Sequence, residues 1–203
     1  MGILRELFGP SKDEVWRELC TQIEGDYVDG GFWKGSKVRV HYKQWTITLD
    51  TYTVSTGKSH VTYTRMRAPY VNADNFRFTI YRKGLFTGLG TFLGMQDIEC
   101  GDPWFDDEFV IKSGSPKKIA DFFANLRVKE LIRKQPSISL SVKDDEGWFG
   151  EKFPDGVDEL YFKTVGVIKD IERLKALFEL FAEALNQLCH MGSAYEDDPR
   201  LVL

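Results

Sequence analysis

The sequence is poor in the residues on which recognisable chemistry is usually built. Its three histidines and three cysteines are scattered along 203 residues, with no pair at metal-ligand or redox spacing. Cys20, Cys100 and Cys189 are odd in number and far apart, which predicts reduced thiols in a reducing, cytoplasmic setting rather than a disulfide framework. No apolar run approaches the ~20 residues needed to cross a bilayer. The opening MGILRELFGPSKDE lacks the apolar stretch and small-residue cleavage site of a signal peptide. Positive charge is not in excess, since 27 Lys and Arg face 31 Asp and Glu, and a net charge of -4 argues against a chain built to hold nucleic acid. No Gly-x-Ser-x-Gly motif is present, and no Ser or Cys stands beside an evident base. These absences favour a non-enzymatic protein, with no catalytic residue, metal or cofactor expected.

What the chain has in quantity is aromatic residues, led by fifteen Phe, and these suit pleated, half-buried surfaces. Ser11-Lys-Asp-Glu14 reads as a capping box opening a helix with Val15, Trp16, Leu19 and Ile23 on one face, ending near Gly25. From Asp26 to Lys83 the period changes to two. Val38, Val40 and Tyr42 alternate with polar residues, as do Trp45, Ile47 and Leu49, and the pattern resumes after Ser55-Thr-Gly-Lys58 from His60 to Arg67. Pro69 is expected to end that strand, and Phe76 to Lys83 forms another. Further on come a short strand at Phe109–Ile111, a helix started by Ser115-Pro116, and a helical turn through Val128, Leu131 and Ile132 stopped before Pro136. Two strands around Leu140 and Phe162 follow. Ile171, Leu174, Phe178, Phe181, Leu185 and Leu188 then mark a long last helix, with an acidic, fraying tail after Gly192.

Three stretches could carry function. KGLFTGLGTFLGMQD, residues 83–97, fails as a phosphate loop because its glycines are spaced G-x-G-x-x-x-G after an antiparallel strand. It reads instead as an apolar segment around Phe86, Leu89 and Phe92, either packed on the sheet or acting as a hydrophobic flap. The second is basic and aromatic: Tyr63, Arg65 and Arg67 share one strand face, and Arg77, Thr79, Tyr81 and Lys83 share another. Pairing of those two strands would merge the sets into one surface able to hold an anionic group; a solvated face with cross-strand charge pairs is the alternative. The third is the acidic QDIECGDPWFDDEF. Asp102, Asp106 and Asp107 could serve a metal-assisted enzyme, but Gly101-Asp-Pro-Trp104 reads as a turn, and pairing with Arg65, Arg67 and Arg77 is the plainer role for these acids.

Residues 45–53, TYTRMRAPY (62–70), FRFTIYRKG (76–84), LGMQDIECGDPWFDDEFVIKS (93–113) and the closing VGVIKDIERLKALFELF together resemble a family of uncharacterised bacterial proteins. The resemblance spans most of residues 30–185. It implies a bacterial protein and brings no activity or site residue with it.

The expected fold is α+β: a curved antiparallel sheet, with the long C-terminal helix across one face and shorter helices around it. It forms either one continuous sheet or two halves meeting near residue 113. The expected function is a binding or adaptor module using Tyr63, Arg65, Arg67, Arg77, Tyr81, Phe86, Leu89 and Phe92. Candidate partners are a protein or an anionic amphiphile. An enzyme using the three aspartates and a homodimer joined through the last helix are the competing readings.

Overall fold

A computed structural model describes residues 9–31, 35–84, 95–144, 153–201 and 203. Helix α1 (Lys12–Ile23) starts at the capping box: the Ser11 hydroxyl accepts from the Glu14 amide at 3.2 Å, and the Glu14 carboxylate accepts from the Ser11 amide at 2.8 Å. It ends where Glu24 turns left-handed, and Gly25 lets the chain pass close to the next strands, since a Cβ there would stand 3.2 Å from the Arg39 carbonyl. Strands β1 (Asp26–Val28), β2 (Lys37–Tyr42), β3 (Trp45–Thr56), β4 (Ser59–Asn72), β5 (Phe78–Arg82) and β6 (Gln96–Ile98) follow. Then come α2 (Pro103–Glu108), β7 (Phe109–Ser113), α3 (Pro116–Phe123), α4 (Leu126–Arg133), β8 (Ser139–Lys143) and β9 (Val157–Val165). The chain closes with α5 (Ile171–His190), capped by the Asp170 carboxylate, and β10 (Ala194–Tyr195).

All ten strands belong to one open antiparallel sheet, ordered β1-β2-β3-β4-β9-β8-β5-β7-β6, with β10 added to β4. Strands from late in the chain are thus inserted between β4 and β5, so the sheet does not divide at residue 113. Alternation then assigns the faces. Val38, Leu49, Met66, Leu160, Phe162, Leu140 and Ile80 point to one side and are buried against α1 and α5 and the shorter helices in a single hydrophobic cluster. Leu174, Leu177, Phe178, Phe181 and Leu185 form the buried stripe of α5. Trp16 fastens α1 to the approach of α5 by donating from Nε1 to the Ile168 carbonyl at 3.1 Å.

Three local expectations are corrected. Pro69 does not end its strand: β4 continues to Asn72, because its ladder with β3 stops at Arg67 and a proline beyond that point costs no bond on that side. The segment around Trp104 is a short helix rather than a turn, with Asp102 capping it through the Phe105 amide. The tail does not fray directly after Gly192, since Ser193 is fully buried and Ala194 and Tyr195 pair with Asn72 and Val71.

If α5 supplies the core as described, Leu180→Ala lowers the unfolding free energy by about 2–5 kcal/mol. Urea denaturation checks this, and a loss below about 1 kcal/mol would show that α5 is not a core element.

Candidate functional site

The face of the sheet turned away from the helical cluster is polar where it is central and apolar where it is exposed. Cross-strand register sets out its rows. Arg39, Thr48, Arg67, Tyr161, Ser141 and Thr79 follow one another across β2, β3, β4, β9, β8 and β5. One step along, Asp50, Arg65, Lys163, Ser139 and Tyr81 form the next row. Farther out, Tyr52 faces Tyr63, and Val54 faces Val61. The strips containing Arg65 and Tyr81 therefore share a face as expected, but β4 and β5 do not pair. Two strands lie between them.

Asp50 is the centre of the cluster. Its carboxylate accepts two bonds from Arg65, at 2.7 Å from Nε and 2.9 Å from NH2, and a third from Arg67 at 2.8 Å. Burial alone would raise its pKa, but the two guanidiniums outweigh it and hold the carboxyl below its ordinary value. Arg67 is almost wholly buried, whereas Arg65 keeps a fifth of its side chain exposed and lies with its guanidinium 5.0 Å from the Tyr52 ring centre. Tyr52 stacks on Tyr63 with centroids 5.2 Å apart, and its hydroxyl lies 3.4 Å from that of Tyr161, which reaches across from β9.

Beside this network, Glu159 is fully buried, with neither carboxylate oxygen in a hydrogen bond. It faces Lys143 on β8 and Pro69 on β4. Burial pushes its carboxyl up to about 7, against the pull of Arg67, Lys143 and Arg65 and with some help from the Asp50 charge. Lys37 and Lys163 are both held below an ordinary lysine, in each case by burial first.

Arg77 stands apart from the cluster and bonds Asp158 at 3.3 Å and Asp144 at 2.7 Å. Phe86, Leu89 and Phe92 lie outside the described residues. The acidic stretch does not supply the expected partners of Arg65, Arg67 and Arg77, which pair with Asp50, Asp144 and Asp158. Asp102 caps α2 and pairs with Lys129, Asp97 pairs with Lys112, and Glu108 pairs with Arg82 and Arg133. Asp106 accepts from the amides of Cys100 and Gly101. Among the described residues no group of three or more His, Cys, Asp or Glu is placed to hold a metal, and burial raises the Cys100 thiol to about 11, away from a ligating thiolate. Also among them, no helix is long and apolar enough to cross a membrane.

Sequence reasoning found Tyr63, Arg65 and Arg67 but not their partners. Asp50 and Glu159 hold the same alternating phase as Thr48 and Tyr161, so their face was readable from WTITLD and DELYFK. The register that brings them together was not.

No family model matches the chain, and no curated protein matches it. Among solved structures, it is similar to the mycobacterial trehalose monomycolate transport factor A, TtfA. The TM-score is 0.53 at 8% identity, covering 87% of this chain and 94% of that one. At that identity the likeness is one of fold.

The two carboxylates give opposite pH dependences. Asp50, lowered in the folded state, contributes stability above its unfolded pKa that is lost as pH falls through the folded one. Glu159 is raised, so the folded state holds its proton longer, and stability falls as pH rises from the unfolded value near 4.5 to about 7. Glu159→Gln removes this slope and should gain on the wild type by about 2–3 kcal/mol between pH 5 and pH 8; parallel profiles for the two proteins would refute the buried acid. Asp50→Asn should cost about 3–5 kcal/mol at pH 7, because it strands a buried guanidinium. Chemical denaturation checks both.

Proposed function

We propose that this chain is a non-enzymatic binding module that holds an anionic amphiphile on the face of its sheet turned away from the described helices. What carries the reading is a gradient along β3 and β4. Thr48 and Arg67, then Asp50 and Arg65, then the Tyr52–Tyr63 stack, then Val54 and Val61 occupy successive rows of one face. The strip is about 20 Å long at ~3.4 Å per residue. It is charged at its buried end and aliphatic at its exposed end, where Val54 and, on β9, Val165 stand in solvent. A charged headgroup set among the guanidiniums and a hydrocarbon portion laid over the tyrosines and valines would match both ends at once.

The position of the cations supports binding over catalysis. The guanidiniums are oriented by Asp50 and by stacking, which pre-organises them without offering a base, a nucleophile or a metal. The name of the structural neighbour, a trehalose monomycolate transport factor, is in keeping with a binding or adaptor role.

Sedimentation with vesicles tests the reading. The protein should co-sediment with vesicles containing phosphatidylglycerol and stay in solution with phosphatidylcholine alone. Val54→Asp combined with Val165→Asp changes exposed positions, so stability should move by only about 0.5 kcal/mol. Vesicle binding should weaken at least about tenfold, the effect of losing two apolar contacts and gaining two repulsive charges. Undiminished binding by the double variant would overturn the proposed strip.

A further inference from the structure

The strip begins in a corner of the sheet that the sequence did not single out. Lys37 and Arg39 on β2 border Thr48 and Asp50 on β3, and these in turn border Arg67 and Arg65 on β4. Four cations thus frame one carboxylate and one hydroxyl. The Thr48 side chain is 1% exposed, and its hydroxyl oxygen has no hydrogen-bond partner. The adjacent Arg39 Nε is also buried without one, although the same guanidinium donates from NH2 to the main-chain oxygen of Leu203 at 2.9 Å. Leaving two neighbouring polar groups buried and unbonded forfeits their hydration without return. Native chains tolerate such groups where something else satisfies them.

Lys37 adds to this. It is half-buried, and no described group accepts a hydrogen bond from its ammonium. Its pKa is lowered by burial first; Asp50 pulls it upward, while Arg67, Arg39 and Arg65 all push it down. Lys37 and three guanidiniums around the single Asp50 carboxylate leave the corner with more positive than negative groups, and an added anion would offset that surplus as well as accept bonds.

We propose that Lys37, Arg39 and Thr48 form an oxyanion site, taking a phosphate or carboxylate group at the buried end of the strip. Resting on the binding reading above, it assigns the headgroup position to β2 and β3 rather than to Arg65 alone. The required chemistry is a compact tetrahedral or planar anion with several acceptor oxygens. One oxygen would take the Lys37 ammonium, one the Arg39 Nε hydrogen, and one the Thr48 hydroxyl hydrogen. Asp50 then has a second effect: by occupying Arg65 and one edge of Arg67, it directs the anion towards β2. The anion could be a free phosphate or the headgroup of a lipid, and the two share this recognition.

Nuclear magnetic resonance titration of the full chain with inorganic phosphate, at constant ionic strength and with chloride as the control, tests the site. Saturable shifts should concentrate on the amides of residues 37–39 and 47–49. Thr48→Val, which keeps the shape and removes the hydroxyl, and Lys37→Gln, on a partly exposed side chain, should each weaken phosphate at least about tenfold. If both variants also weaken binding to phosphatidylglycerol vesicles, the source is a lipid headgroup; if only phosphate binding suffers, it is a free anion. Scattered, non-saturating shifts, or shifts that neither variant alters, would overturn the site. Intact vesicle binding alongside that result would leave the binding module standing, and loss of both would end the two readings together.

Discussion

Everything distinctive in this molecule follows from covering a ten-stranded sheet on one side. The helical cluster takes one face, and period-two alternation then commits every second strand residue to the other. A face that none of the described helices covers must stay polar or find other cover. The chain keeps it polar at the centre, where it is buried, and allows it to become apolar at the far end of β3 and β4. Burying charges is tolerable there because Arg65 and Arg67 both meet the Asp50 carboxylate with favourable geometry.

The same constraint explains why the fold was easier to read than the site. The stripe on α5, the capping box at Ser11, the Ser115-Pro116 start and the alternation of β2, β3 and β4 are local signals, each contained in a dozen residues. Pro69 misled because a proline's effect depends on which flank of the strand is paired, and that is a property of the sheet. The acidic segment misled for a related reason. It looked like a counter-charge for Arg65 and Arg67, yet the acid that meets them is Asp50, fifteen and seventeen residues away in sequence and directly across a ladder. Thr48, Lys37 and Glu159 carry no motif at all. What marks them is the lack of a bonding partner in a buried place, and only a three-dimensional arrangement can show that.

Buried acids on this face are treated in two different ways. Asp50 is saturated with donors and stays ionised, while Glu159, two strands over on β9, has none and leans towards its neutral form. One fixes guanidiniums in place, and the other stores a proton near neutrality. A ligand that placed a negative charge nearby would strengthen the second tendency, coupling occupancy of the face to proton uptake.

The insertion of β9 and β8 between β4 and β5 also sets an order of assembly. The meander of β2, β3 and β4 can form as soon as it is made, but the flank of β4 from Thr64 to Val71 waits for β9, with a hundred residues separating Thr64 from Thr164. At a synthesis rate of about 5–20 residues per second, that edge stands open for roughly 5–20 s on each nascent chain. During that time it is an unpaired strand flank backed by Met66, Ala68 and Tyr70. Pro69 gives that flank no protection: the amides that point to it are those of Met66, Ala68 and Tyr70, in phase with the bonds from Asn72 to Gly156 and from Gly166 to Thr62, and the proline's missing donor lies on the opposite side.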